Sequence, residues 1–249
     1  MKGYLFVTGC GRSGTTLLNR LLGAHPRIVL GVERYMLLQL KNFDAFQPAL
    51  FEKERFFTFR KEDSGQFRDG PSNCEYYDLQ REKWEQALYR GDKITTLFSK
   101  FNEVSERLEN VKFVHVTRSP VEVMLSWRAR VEGGTLAPIN DYIKCMETWN
   151  LANQSALEFK EKYPDKIILV DYKKILSDGY VDKLLDAIDC ELGCPGELKE
   201  YVGKLVEESG QLKVTRKDRF SLKAKWRAFW DVRSLADFKQ YKKLRKHML

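Results

Sequence analysis

Cysteine is scarce in this chain of 249 residues. Cys10, Cys74, Cys145, Cys190 and Cys194 are odd in number and scattered. That excludes a disulfide framework. Cys190 and Cys194 lie near each other, but no second pair completes a zinc site, so all five read as reduced thiols. Histidine is scarcer still: His25, His115 and His247 are too dispersed for a metal centre, and no metal is expected. No apolar run approaches the ~20 residues of a membrane span, so no transmembrane segment is expected. The opening MKGYLFVTG leads into a glycine loop where a signal peptide would carry an apolar core and cleavage site, which makes a cytoplasmic protein the expectation. There are no repeats and no low-complexity linker. No known nucleic-acid motif or basic–aromatic stacking pattern occurs, so no nucleic-acid partner is expected.

What is present is a chain rich enough to fold. Apolar residues make up 43% and charged residues 31%, which excludes a disordered chain and allows a real core. The net charge of +8 points to an anionic partner or simply to solubility. Lys239, Lys242, Lys243, Arg245 and Lys246 form a basic tail that reads as a solvated helix face. Strand-like runs at Tyr4–Thr8, Ile28–Val32, Val111–Thr117 and Ile167–Val170 alternate with helical patterns. The helices fall at Leu17–Leu22, from Pro120 to about Val131, at Ile139–Tyr163, and over much of the chain after Tyr172. The segment from Phe43 to about Arg90 reads as an irregular or helical insertion, its phenylalanines lining an acceptor pocket or forming a satellite core. This alternation predicts an α/β fold in one domain over 1–249, a parallel sheet with helices on both faces. In such folds ligands bind beyond the carboxyl ends of the strands.

The first of those ends carries Gly9-Cys10-Gly11-Arg12-Ser13-Gly14-Thr15-Thr16. Three readings fit it. As GxGxxG, with Glu33 lying 19 residues after Gly14, it suits a dinucleotide-binding oxidoreductase. As Gly9-x4-Gly14 it begins like the loop of a kinase, but Thr15 stands where the lysine belongs. As an anion cradle it combines backbone N–H groups, a helix N-terminus, two threonine hydroxyls and the Arg12 charge. The cradle uses Arg12 and both threonines, which the dinucleotide reading leaves idle. A non-catalytic binder of nucleotide or nucleic acid is a further alternative.

A second anion site follows Val111–Thr117. Arg118 stands at the strand end, Ser126 comes eight residues later and Arg130 four after that, so Ser126 and Arg130 share one helix face. Two guanidinium groups and a hydroxyl can converge on a phosphate. The two motifs together resemble the sulfotransferases that use 3′-phosphoadenosine 5′-phosphosulfate (PAPS). GRSGTTLLNRLLGAHP is most similar to the branch of protein-tyrosine sulfotransferases and their bacterial relatives.

That resemblance implies a P-loop-like three-layer fold, PAPS as sulfuryl donor and 3′-phosphoadenosine 5′-phosphate (PAP) as product. It implies that Arg12, Ser13, Gly14, Thr15, Thr16 and Leu17 hold the 5′-phosphosulfate, and that Arg118, Ser126 and Arg130 hold the 3′-phosphate. Glu33, 21 residues after Arg12, corresponds to the family's catalytic base. Gly91-Asp92-Lys93-Ile94-Thr95 is similar to a segment whose lysine approaches the transferring group, making Lys93 catalytic alongside Arg12. Tyr172 and Lys225 match two further cofactor contacts. Here Ile94-Thr95 replaces the family's Thr-Pro, and Lys173-Lys174 replaces Glu-Asp. The acceptor implied is a hydroxyl on a glycan or small metabolite, with a peptide as the other option.

Overall fold

Six buried residues, Gly3–Thr8, form β1, the middle strand of a five-stranded sheet. Strand alternation sends Tyr4 and Phe6 into an aromatic core and Leu5 and Val7 into a largely aliphatic one. The computed structural model describes residues 1–64, 74–132, 141–177, 179–190 and 222–249, with isolated positions between 196 and 204. The other strands are β2 (Ile28–Val32), β3 (Tyr89–Lys93), β4 (Val111–Thr117) and β5 (Ile167–Asp171). Every pairing is parallel and the order is β2-β3-β1-β4-β5.

Helices cover both faces. Helix α1 (Thr15–Ala24) buries Leu18, Leu21 and Leu22 in the aliphatic core. Three short helices follow, α2 (Met36–Lys41), α3 (Lys53–Phe57) and α4 (Cys74–Glu82), then α5 (Phe101–Arg107). Helices α6 (Pro120–Glu132) and α7 (Asp141–Lys162) pack on the aromatic face through Val123, Met124, Trp149 and Phe159. Helix α8 (Tyr180–Ile188) returns to the aliphatic face, whereas α9 (Leu222–Arg233) and α10 (Phe238–Arg245) add Ala228, Val232 and Leu244 to the aromatic one. No described helix is long and apolar enough to cross a membrane.

Four of the five strands agree with the sequence reading. The fifth, β3, corrects it: Tyr89 and Arg90, assigned above to the end of an insertion, belong to a strand between β2 and β1. Tyr-Arg-Gly-Asp-Lys has no apolar alternation. It is buried because its polar groups are used in the site, and because Gly91 allows the approach of β1. A Cβ there would lie 1.7 Å from the Leu5 carbonyl oxygen. The insertion's phenylalanines are also corrected. Phe46, Phe51 and Phe56 are fully buried in the main aromatic core, against Phe6 and Tyr35.

The strand order decides one alternative. In a dinucleotide-binding fold the strand bearing the acidic residue lies directly beside the first strand. Here β3 separates β2, and so Glu33, from β1. That order removes the geometry on which the oxidoreductase reading depended.

Strand β2 is an edge, and α4 closes it. The N–H groups of Leu30 and Val32 donate to Gln80 Oε1 (3.1 Å) and Tyr77 Oη (3.0 Å), and the Tyr76 hydroxyl donates to the Leu30 carbonyl (2.9 Å). The backbone groups that β3 leaves unused are thereby satisfied.

Candidate active site

Because all five strands run in one direction, their carboxyl ends form one rim, and each ends at a residue marked in the sequence. The glycine loop follows β1, Glu33 follows β2, Lys93 closes β3, Arg118 follows β4 and Tyr172 follows β5.

The glycine loop turns sharply. Gly9 and Gly14 have φ of 144° and 101°, and Arg12 has φ of 72°. A Cβ on Gly14 would come within 2.2 Å of the Tyr172 ring, so glycine is required both by the backbone and by the ring against it. Ser13 N–H bonds the Cys10 carbonyl at 3.0 Å, while the buried Ser13 hydroxyl has no hydrogen-bond partner. Helix α1 begins at Thr15 without a side-chain cap and without an acidic residue in its first turn, which leaves its first amides to an incoming anion. Thr15 is buried, Thr16 exposed and Leu17 half-buried.

The two anion motifs meet. Arg12 Nε donates to Ser126 Oγ at 3.2 Å, linking the loop to α6. The Arg118 guanidinium lies 4.1 Å over the Tyr172 ring, and its Nε is 3.6 Å from a Glu122 carboxylate oxygen without a hydrogen bond. The Trp149 indole donates to the Arg118 carbonyl at 3.0 Å and fixes the strand end. Arg130 is exposed one helical turn beyond Ser126. Lys225 lies on α9, but its side chain is outside the described residues.

On the other side of the rim, Lys93 Nζ and Glu33 Oε1 form an ion pair at 2.6 Å. The Glu33 side chain is 15% exposed and that of Lys93 4%, so the carboxylate is the member solvent can reach. Glu33 has φ of 54°. Arg12 and Glu33 are thus two of the four described non-glycine residues with positive φ, the kind of strain that collects at functional sites.

Several residues here escaped the sequence reading. Asp92, next to Lys93, is fully buried, and its Oδ2 accepts the Tyr35 N–H at 2.9 Å. Burial pushes its carboxyl up to about 7, against backbone bonds from Arg34 and Tyr35 and the Lys93 charge. Arg34 is also fully buried. It pairs with Asp63 at 2.6 Å and donates to the carbonyls of Phe56 (2.9 Å) and Thr58. Arg55 pairs with the same Asp63 at 2.5 Å. Burial raises the Asp63 pKa, but hydrogen bonds from Arg55 and Arg34 outweigh it and hold the carboxyl below its ordinary range. Trp127 packs beside Gly11 with its buried indole N–H unpartnered. Adjacency to Glu33 and Lys93 was the one sequence signal for Arg34 and Asp92; for Asp63 there was none.

Comparison with known proteins follows the same line. Residues 5–192, which include every rim residue above, match the sulfotransferase family model. Protein-tyrosine sulfotransferase A of Caenorhabditis elegans is 24% identical over 172 residues, covering 68% of this chain and 44% of that protein. The chain therefore spans less than half the length of that relative. Among solved structures, sulfotransferase STF1 of Mycobacterium tuberculosis superposes with a TM-score of 0.50 at 18% identity, over 82% of this chain and 71% of that one. The sulfotransferase domain of a Synechococcus olefin synthase gives a TM-score of 0.48 at 22% identity, over 79% of this chain and 82% of that domain. With the family model spanning most of the chain, glycine loop and strand ends included, the chain belongs to the sulfotransferase family.

Proposed function

We propose that the protein transfers a sulfuryl group from PAPS to an acceptor hydroxyl, on a glycan or small metabolite, with Glu33 as general base. The observation that carries this reading is the division of the rim: cations and amides for an anion around β1, β4 and β5, and an ion-paired carboxylate at the end of β2.

The donor set suits a nucleotide with phosphate at two positions. The uncapped start of α1, the unpartnered Ser13 hydroxyl and the Thr15 and Thr16 hydroxyls would hold the 5′ side. Arg118, Ser126 and Arg130 would hold the 3′-phosphate, with Arg12 spanning both sets through its bond to Ser126. Tyr172, packed on Gly14 and under Arg118, would fix the distance between them. PAPS supplies the sulfuryl group and a phosphate leaving oxygen. Glu33 Oε accepts the proton of the attacking hydroxyl as the new O–S bond forms. Lys93 and Arg12 would stabilise the charge left on the phosphate oxygen as its bond to sulfur breaks. Lys93 serves twice, because its ion pair also aims the Glu33 carboxylate. The excess of basic residues supports an acceptor of anionic character.

Calorimetric titration with PAP tests the reading, with adenosine 5′-monophosphate, magnesium ATP and NAD as controls. PAP alone should bind, without added metal, and Arg118→Ala should abolish or strongly weaken it. Binding of ATP or NAD in place of PAP would refute it. A PAPS-consumption panel of sugars, phenols and a tyrosine peptide then sorts the acceptor class.

A further inference from the structure

We infer that Asp92 is a positioning residue for Glu33, clamping the backbone of the turn that carries the proposed base. The inference deepens the reading of Glu33 above and rests on it.

Glu33 needs such a clamp. At φ 54° Glu33 sits in the left-handed region that strains a non-glycine residue, so the turn relaxes unless its neighbours are held. Backbone bonds on both sides of Glu33 hold it. Val32 N–H donates to Tyr77 Oη at 3.0 Å, Glu33 N–H to the Lys93 carbonyl at 2.9 Å, and Tyr35 N–H to Asp92 Oδ2 at 2.9 Å. The last is the anchor beyond Glu33 that comes from β3. Consecutive residues of one strand therefore hold the turn twice: Asp92 by its backbone and Lys93 by the Glu33 carboxylate.

Asp92 is an expensive way to hold the backbone N–H groups of Arg34 and Tyr35. It is 0% exposed, its other carboxylate oxygen has no hydrogen-bond partner, and it forms no ion pair among the described residues. The groups around it are the Lys93 and Arg34 charges, with the Tyr35 and Tyr77 hydroxyls. A buried carboxylate in such surroundings disfavours its charged form, and either protonation state keeps an oxygen lone pair for the Tyr35 N–H. The clamp thus survives protonation. What it does not survive is loss of the acceptor.

Asp92→Asn keeps an acceptor oxygen; Asp92→Ala and Asp92→Ser remove its reach. Amide hydrogen exchange at Tyr35 reads the clamp with no acceptor substrate present. Exchange should speed at least ~10-fold in the Ala or Ser variant and stay near wild type in Asn. PAP affinity should hold within about twofold in all three. PAPS turnover should fall ~10–100-fold in Ala or Ser, as expected for a displaced catalytic group, with most of it restored in Asn. In a Glu33→Gln background the Asp92 change should cost nothing more. Unchanged Tyr35 protection, equal loss of turnover and PAP affinity, or independent losses in the double variant would each overturn the role. If Ala fails to fold, Ser carries the comparison. If Glu33→Gln turns over like wild type, the base assignment fails, while Tyr35 exchange still decides the clamp.

Discussion

The two sides of the rim are built differently. Around β2 and β3 the charges neutralise one another: Glu33 with Lys93, and Asp63 with both Arg34 and Arg55. Around β1, β4 and β5, Arg12 donates to a hydroxyl, and Arg118 lies over an aromatic face with a carboxylate at 3.6 Å. One side is finished by folding and presents a fixed carboxylate. The other, on the proposed reading, would meet the anionic groups of the donor nucleotide. The proposed sulfuryl transfer would use both in one rim, since the base would stay where it is put while the donor nucleotide comes and goes.

The largest expected effect separates the sides by function. Glu33→Gln should lower PAPS turnover ~10²–10⁴-fold, the range of general base catalysis, with little change in PAP affinity. Comparable losses in both would erase the distinction. Next, Asp63→Ala should destabilise the protein by about 3–5 kcal/mol in urea, because it strands one buried and one half-buried guanidinium. By contrast, Glu122→Ala, on the open side, should cost no more than ~1 kcal/mol. Equal costs would mean that the sides do not differ in construction. Gly14→Ala lies between, at roughly 1–3 kcal/mol of strain, and should weaken PAP binding by displacing Tyr172.

The last comparison is one of pH. Burial holds Asp92 up to about 7, so from about pH 4 to 7 the folded state keeps a proton the unfolded chain has released. Wild type should therefore lose stability relative to Asp92→Asn as pH rises through that window, then stay level. His115 on β4, bonded to Thr8 at 3.0 Å, has the opposite sign. Burial holds it down to about 4, so relative to His115→Gln wild type should lose stability as pH falls from about 6.5 to 4. Denaturation midpoints across pH check both slopes.

The same division explains what could be read from the sequence. The β1 loop and the Arg118–Ser126–Arg130 set are local, so spacing within one strand–loop–helix unit displayed them. Strands β1, β2, β4 and β5 are apolar enough to show themselves. Strand β3 is not: its Arg90, Asp92 and Lys93 look like surface residues until Glu33, Tyr35 and Trp84 are brought to them. Glu33 and Lys93 are 60 positions apart, and Arg34 and Asp63 29, so no local pattern couples them. Phe46, Phe51 and Phe56 misled for a related reason, since an aromatic cluster among charges does not reveal whether it builds a separate pocket or joins the main core.

The most direct test is a calorimetric titration of PAP into wild type, Glu33→Gln and Arg118→Ala side by side. The division of the rim predicts that Glu33→Gln binds within about twofold of wild type, while Arg118→Ala loses ~10–100-fold through its charge-assisted contacts. Intact affinity in Arg118→Ala, with loss in Glu33→Gln, would contradict it.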